Sequence, residues 1–297
     1  MADEAPRKQN AERDVPFETS LAPTSSVRVI SWNINHRADA WRLLLDCDAD
    51  IALLQEAAEP PAHVAERLDV DPEPWRTAGT ARRWRTAVVK LSKGIELERF
   101  VPKSFEEAQA TDLSVSRAGT LAAARVTPSS GEPFIVCSMY GLWESPHSGV
   151  ESGWIYADAS VHRLISDLSA LVGKPSGHRI VAAGDLNILR GYGEHGSPYW
   201  ASRYATVFDR MSALGMLFVG PQFPMGRRAD PWPDELPVES DNVPTYHTNR
   251  QTPATATRQL DFVFASNGLA ELVRARALNS VEEWGPSDHC RLDIDIA

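Results

Sequence analysis

The stretch IVAAGDLNIL, residues 180–189, joins a short apolar run to an abrupt polar end. The apolar half predicts a β-strand that is buried on both faces. Gly184 would let the backbone pass close to a neighbouring element, and a strand-like backbone would point Asp185 and Asn187 to the same side. Because Gly, Asp and Asn are also common turn residues, this stretch alone leaves open a turn or a functional pair.

Length and composition favour a globular α/β protein. The chain has 297 residues, 43% of them hydrophobic, which suits one large domain or two small ones. Residues 1–26 are polar and lack an apolar signal-peptide core, so we predict a disordered tail followed by one domain over 27–297. No apolar run is long enough to span a bilayer. Three scattered cysteines are too few for a disulfide framework or a zinc site, and a reducing, cytoplasmic environment is expected.

Charge is distributed unevenly along the chain. The net charge of −10 argues against a protein that coats nucleic acid non-specifically. Residues 75–90 and 245–260 nevertheless contain arginines and aromatics without any acidic residue. In 75–90 this combination is typical of surfaces that bind phosphates and bases. Ordinary solvated loops and a strand edge are the alternative. The candidate substrate-binding residues in these two segments are Arg82, Arg83, Arg85, Tyr246 and Arg250.

Hydrophobic periodicity predicts more strands than helices. Strands are expected over 27–32, 51–56, 86–92, 120–127, 133–141, 180–187, 260–266, 272–278 and 291–297, and helices over 37–50, 159–173 and 203–215. Six of the 21 prolines lie between 221 and 244, which predicts an irregular loop there. The irregular order of elements indicates a mixed-sheet α/β domain.

Polar side chains recur where the predicted strands end. In open α/β sheets, ligand sites gather at strand ends. Each position alone has an ordinary explanation as a cap, a surface residue or a turn, whereas the whole set in this order favours a functional site. The residues are Asn33, Asn35, Glu56, Tyr140, Asp185, Asn187, Asp261, Asp288 and His289.

Six short motifs carry a family resemblance. They are SWNIN (31–35), LLQE (53–56), SMYG (138–141), GDLN (184–187), LDFVF (260–264) and SDH (287–289). In this order they resemble the endonuclease/exonuclease/phosphatase superfamily, which includes DNase I-like nucleases, over residues 27–297. The resemblance implies a four-layer α/β sandwich, with two mixed β-sheets packed face to face and helices outside. It also implies hydrolysis of a phosphate ester with Mg²⁺ or Mn²⁺.

The resemblance assigns one group of residues to the metal ion. Glu56 would be the principal ligand, with Asn33 or Asn35 beside it, and Asp288 would lie at a second position near the metal. Carboxylate and carbonyl oxygens are the ligands that a hard divalent cation prefers. Such a cation neutralises the charge of a phosphodiester, which otherwise repels a nucleophile.

The remaining motif residues would act on the reacting groups. By resemblance, Asp185 would orient and deprotonate the attacking water, and Asn187 would hold that water or a phosphoryl oxygen. His289 would donate hydrogen bonds to developing charge, with Asp261 fixing its ring and favouring the imidazolium. Tyr140 would donate its hydroxyl to the phosphate. The resemblance also places a substrate-facing loop over 245–260, which carries Tyr246 and Arg250.

Three functional hypotheses follow. The favoured one is an intracellular metal-dependent nuclease acting on DNA or RNA, supported by the motif set and the arginine–tryptophan segment. The alternative is a phosphoesterase or phosphatase for a small-molecule or lipid head-group phosphate, supported by the acidic net charge. A catalytically inactive binding protein is the third, and the presence of every expected catalytic side chain argues against it.

Overall fold

The computed structural model describes residues 26–72, 74–77, 82–109, 112–144, 157–172 and 178–297. Its strands are β1 (Val27–Asn33), β2 (Ile51–Ala57), β3 (Arg85–Lys90), β4 (Ile95–Arg99), β5 (Leu121–Pro128), β6 (Phe134–Tyr140), β7 (Ile180–Asp185), β8 (Met216–Gly220), β9 (Asp261–Ser266), β10 (Val273–Leu278) and β11 (Arg291–Ile296). Its helices are α1 (Ala38–Leu44), α2 (Ala62–Ala65), α3 (Ala157–Val172) and α4 (Pro198–Ala213). Apart from Ser26, the predicted N-terminal tail lies outside the described residues.

The strands form two mixed sheets. One has the order β10-β11-β1-β2-β3, and the other has the order β4-β5-β6-β7-β9-β8. In each sheet one central pair is parallel, β1 with β2 and β6 with β7, and the other pairs are antiparallel. The parallel pairs place the carboxyl ends of β1, β2, β6 and β7 at one end of the sandwich.

Three apolar clusters define four layers. The central cluster joins side chains of both sheets, such as Val29 and Leu53 from one and Val181 and Val263 from the other. A second cluster packs α3 and α4 on the outer face of the sheet that contains β7, and a third packs α1 on the outer face of the other sheet. The expected four-layer sandwich with helices outside is therefore confirmed.

Strand alternation decides which polar residues meet between the sheets. In β7, Val181 and Ala183 belong to the central cluster, so Asp185, two residues further on, points to the same inner face. The same two-residue period carries Asn33 of β1, Tyr140 of β6 and Asp261 of β9 to that face. One end of the space between the sheets thus collects the polar side chains.

The elements differ from the sequence-based prediction in a few places. Helix α1 ends at Leu44, well before the predicted end at 50, and α4 begins at Pro198, five residues before the predicted start. Strands β4 and β8 escaped prediction because they are short strands at the edges of their sheet. The proline-rich segment 221–244 contains no helix or strand, as predicted.

Two other expectations concern the chain as a whole. None of the helices in the described ranges is long and apolar enough to cross a membrane. Cys47, Cys137 and Cys290 are free thiols, and the last two are buried.

Candidate active site

The polar end of β7 is a turn whose groups bond back to Asp185. Asn187 has a left-handed backbone (φ 51°), so its amide nitrogen donates to Asp185 Oδ1 at 2.9 Å and its Nδ2 to Asp185 Oδ2 at 3.2 Å. The two side chains meet through this turn rather than through strand alternation, which ends at Asp185. The turn is therefore confirmed, the expected strand-like placement of Asn187 is wrong, and the functional role of the pair stays a prediction.

Gly184 is required by the neighbouring strand. A Cβ atom on Gly184 (φ 155°) would lie 1.9 Å from the carbonyl oxygen of Met139 in β6. Because no side chain fits at that distance, glycine is what permits the close approach just before Asp185. The carboxylate of Asp185 is consequently held on a backbone locked against β6.

Glu56 reaches the inner face through a bulge at the end of β2. The register with β3 shifts between Leu54 and Ala57, and Glu56 has φ 47°, which turns its side chain away from the strand alternation. Its Oε1 accepts hydrogen bonds from Asn33 Nδ2 at 3.1 Å and from Tyr140 Oη at 2.8 Å. Backbone strain of this kind persists where surrounding contacts hold it and is common at functional sites.

Asn33 joins the two carboxylates. Its Nδ2 also donates to Asp185 Oδ2 at 2.9 Å, so Glu56 and Asp185 flank a single amide nitrogen. These residues come from different sheets, β1 and β2 in one and β7 in the other. The site is therefore assembled by the face-to-face packing of the sheets.

His289 lies between two aspartates. Its Nδ1 is 2.8 Å from Asp261 Oδ2, and its Nε2 is 3.6 Å from Asp185 Oδ2. All three side chains are almost completely buried. The Trp32 indole donates to the backbone carbonyl of His289 at 2.9 Å and helps to fix its position.

Asp288 and Asn35 form a further hydrogen-bonded pair at the site. Asn35 Nδ2 donates to Asp288 Oδ1 at 3.0 Å, and the backbone amide of Asn35 donates to Asn33 Oδ1. Asp288 and several of the buried groups line a cleft of about 190 Å³. The other side chains that line this cleft are Glu56, Tyr140, Trp143, Asp185, Asn187, Glu194, Tyr246, Thr248, Arg258, Leu260 and His289.

The environment shifts the pKa values of the central groups. Burial, reinforced by the charge of Asp261, raises the pKa of Asp185 to about 7. Burial opposes the charging of His289, but the carboxylates of Asp261 and Asp185 outweigh it and raise its pKa to about 10. The proton between these groups therefore lies on the imidazole near neutral pH.

Glu56 and Tyr140 are shifted in opposite directions. Burial would raise the pKa of Glu56, but hydrogen bonds from His36, Asn33 and Tyr140 more than compensate, and the pKa is lowered. Burial and the neighbouring carboxylates of Glu56 and Asp185 raise the pKa of Tyr140 well above its ordinary value. Glu56 is thus an ionised acceptor, and Tyr140 is a neutral hydroxyl donor.

Three further polar residues support the floor of the site. Gln55 Nε2 donates to Ser138 Oγ at 2.9 Å across the space between the sheets, and Ser138 Oγ donates to the carbonyl of Leu54 at 2.7 Å. Ser287 Oγ donates to the carbonyl of Asn33 at 2.7 Å. Sequence reasoning assigned no role to these residues, although all three lie inside the LLQE, SMYG and SDH motifs.

The predicted substrate-binding residues do not all face the cleft. Arg85 is a correction to the prediction, because its guanidinium is buried and lies 3.1 Å from Asp71 in an ion pair. Arg83 and Arg250 are exposed outside the cleft lining. Arg82 lies over the ring of Trp84 at 5.2 Å, and Tyr246 packs against the His289 ring at 4.8 Å.

Residues beyond the predicted set also reach the site. His36 Nε2 lies 3.2 Å from Glu56 Oε2, and Trp84 packs edge-on against Tyr140 at 5.0 Å. Arg258, paired with Glu194 at 3.0 Å, lines the cleft. Arg258 sits three residues before Asp261, but a single arginine in a loop gives no sequence signal that separates it from solvated arginines.

The donor set suits a hard divalent cation. The carboxylates of Glu56, Asp185 and Asp288 line one cleft and offer the oxygen ligands that such a cation prefers. Asn33 and Asn35 lie beside them, with their Nδ2 atoms donating to these carboxylates. The ligand atoms of Asp185, Asp261 and His289 also lie within 4.8 Å of one another. In that second group the Nδ1 of His289 is already engaged by Asp261, so hydrogen bonding accounts for the spacing.

Comparisons with known proteins agree with this architecture. The sequence model of the Endonuclease/Exonuclease/phosphatase family matches residues 30–289. The endonuclease domain of TRAS1, a telomere-specific non-LTR retrotransposon, is similar in fold, with a TM-score of 0.58 and 14% identity over 92% of this chain and 98% of that one. The AP endonuclease LMAP from Leishmania major has a TM-score of 0.58 and 17% identity over 95% of this chain and 92% of that one. The search of curated proteins gives no match.

Proposed function

Because the chain belongs to the Endonuclease/Exonuclease/phosphatase family, a family of divalent-metal-dependent phosphoester hydrolases, we propose that it is a nuclease that cleaves phosphodiester bonds in DNA or RNA. One observation carries the proposal. The imidazole of His289 lies between Asp261 and Asp185, and the side-chain amide of Asn33 bridges Asp185 and Glu56. The arrangement gathers a base, a cationic donor and a metal-binding carboxylate at one cleft.

Glu56 would hold Mg²⁺ or Mn²⁺ together with Asn33, Asn35 and Asp288. The Glu56 side chain is 20% exposed and faces the cleft, whereas Asp261 is only 2% exposed and is committed to His289. When bound, the cation would neutralise phosphoryl charge and stabilise the leaving oxygen. Because Glu56 is accessible and the carboxylates around His289 are buried, the cation is expected next to Glu56 rather than next to His289.

Asp185 would act as the general base. Its pKa of about 7 lies close to neutral pH, where a carboxylate both remains partly ionised and accepts a proton readily. The backbone amide and Nδ2 of Asn187 hold both of its oxygens. This fixes the direction from which the carboxylate can take a proton from water.

His289 and Tyr140 would donate to the phosphoryl group. With a pKa of about 10, His289 carries a proton on each ring nitrogen at neutral pH, and Nδ1–H is fixed by Asp261. Nε2–H then remains for an anionic oxygen in the cleft. Tyr140, whose hydroxyl stays neutral, is a second donor at the same opening.

A small phosphate ester is the second candidate substrate. The cleft holds only about 190 Å³, and Arg85 and Arg258, two of the nearby arginines, are already paired with carboxylates. These features and the net charge of −10 favour a compact substrate over a long polyanion.

A substrate panel tests the two candidates. The purified protein is incubated with Mg²⁺ or Mn²⁺ and single- and double-stranded DNA, RNA, and small phosphomonoesters and phosphodiesters, each also with excess EDTA. Asp185→Asn protein is the control for a contaminating hydrolase. We expect metal-dependent cleavage of a nucleic acid by the wild type only, and turnover restricted to the small esters would replace the nuclease proposal with the second candidate.

A further inference from the structure

Trp143 exposes an indole in the catalytic cleft. It is 43% exposed and lines the same cleft as Asp185 and His289. A large aromatic side chain that is exposed in a concave site is typical of a ligand contact, because the bound ligand covers its apolar surface. None of the hydrolytic roles proposed above uses this residue.

Trp143 lies between two anchored residues, one held by its backbone and the other by its side chain. The amide of Gly141 donates to the carbonyl of Asp185 at 2.7 Å, and a Cβ on Gly141 would lie 2.2 Å from the carbonyl oxygen of Leu186. On the other side, the Glu144 carboxylate lies 3.1 Å from arginines 117 and 163. The indole therefore projects from a segment fixed to the strand end that carries the proposed base.

A second aromatic side chain approaches from the other side of β7. Strands β6 and β9 flank β7; Trp143 follows β6, and Tyr246 pairs with Arg258, which lies just before β9. The Tyr246 ring packs on His289 at 4.8 Å and lines the cleft. Two flat apolar surfaces thus border the position where a phosphate would meet Asp185.

The wall near Tyr246 also carries polar side chains of the kind that recognise the edges of bases. The Arg258 guanidinium and the Glu194 carboxylate, 3.0 Å apart, offer donors and acceptors side by side. Thr248 lines the same cleft. A sugar–phosphate chain has no flat apolar face to cover an indole, whereas every nucleobase has one.

We infer that Trp143 is a specificity-determining residue, which stacks on the nucleobase next to the scissile phosphate. The inference rests on the proposed nuclease function and deepens it. Stacking on an aromatic face tolerates any base, so the enzyme would discriminate between a nucleotide with a base and one without, rather than among sequences.

Two oligonucleotides that differ by one base test this inference. Both have the same sequence, and one carries a tetrahydrofuran abasic residue next to the cleaved bond. Wild type, Trp143→Ala, Trp143→Phe and Phe105→Ala are compared by kcat/KM with Mg²⁺. Phe105 is the matched control because it is 65% exposed and lies outside the catalytic cleft.

We expect Trp143→Ala to lose roughly tenfold more kcat/KM on the oligonucleotide with all its bases than on the abasic one. Trp143→Phe should recover most of that loss, and Phe105→Ala should match the wild type on both. An equal loss on the two substrates, or none, would overturn the inference and leave the nuclease function intact. Wild-type protein that cleaves neither oligonucleotide would refute the function itself, and the inference with it.

Discussion

Replacing Asp261 by asparagine should remove the charge that keeps His289 protonated while preserving the shape of the site. The carboxylate oxygen of Asp261 lies 2.8 Å from Nδ1 of His289, and both residues are almost fully buried. An asparagine in the same place keeps a hydrogen-bond acceptor but carries no charge. The variant therefore tests the electrostatic role of Asp261 separately from its packing.

The size of the effect follows from the pKa of His289. The shift from 6.5 to about 10 corresponds to a net of about 5 kcal/mol in favour of the imidazolium, because the carboxylates of Asp261 and Asp185 outweigh the burial that opposes its charge. Since Asp261 is the carboxylate that bonds to the ring, Asp261→Asn should lose at least about 2 kcal/mol of this, and the pKa of His289 should fall towards its ordinary value. Without that charge the buried imidazole becomes neutral within the physiological pH range.

The sign of the pH dependence is fixed by the direction of the shift. Because the pKa of His289 is raised in the folded state, its contribution to the free energy of unfolding is complete below about pH 6.5 and is lost as pH rises through about 10. The stability difference between wild type and Asp261→Asn should therefore be largest near pH 6 and shrink towards pH 10. Turnover should fall by about 10²-fold or more, most steeply on the alkaline side.

NMR titration of the histidine ring nitrogens, with metal-free protein, measures the pKa directly. Urea unfolding at pH 6, 8 and 10 measures the stability difference. Asp288→Asn is the comparison variant, because it removes a carboxylate at the same cleft that does not bond to the imidazole. A His289 pKa that is the same in Asp261→Asn and wild type would refute the assigned electrostatic pairing.

Three further predictions concern other charges of the site. Glu56→Gln should raise the Mg²⁺ concentration for half-maximal activity by about tenfold or more, measured by metal titration after EDTA treatment, and an unchanged midpoint would remove Glu56 from the metal site. The melting temperature of Asp185→Asn relative to the wild type should rise between pH 4 and pH 8, because burial of the Asp185 charge, which raises its pKa to about 7, costs stability that is absent below about pH 4 and complete above pH 7; a difference that does not move in this direction would contradict that cost. Arg82→Ala should reduce the slope of log affinity against log salt for an oligonucleotide by about 1. Arg85→Ala should leave that slope unchanged and lower the melting temperature, because Arg85 is paired with Asp71. The reverse pattern would show that Arg85 binds the substrate.

The sequence predicted the strand ends well because each motif couples a short apolar run to a polar terminus. Which side these termini face emerged from the structure, where alternation along each strand carries Asn33, Tyr140, Asp185 and Asp261 to the inner face. The family resemblance then supplied the pairing of the two sheets that brings these residues together. Neither the apolar pattern nor the motif spacing specifies that pairing.

Other parts of the site depend on contacts that no local pattern records. Glu56 reaches the cleft through a bulge, and Asn187 through a left-handed turn. Arg85 looked like the neighbouring arginines in sequence, but its position at the start of a buried strand opposite Asp71 makes it a structural residue. Trp143 gave no signal, because a single exposed tryptophan becomes informative only when the cleft beside it is known.

The most direct test of the proposed mechanism is turnover and binding by Asp185→Asn protein with Mg²⁺ and the best nucleic acid substrate of the wild type. Removing the base while keeping the size of the side chain and one of its two acceptor oxygens should abolish nearly all cleavage. Substrate affinity should be retained or increased, because one negative charge facing the phosphate is gone. Cleavage near the wild-type rate by folded Asp185→Asn protein would contradict the account, and recovery of cleavage at high Mn²⁺ would instead make Asp185 a metal ligand.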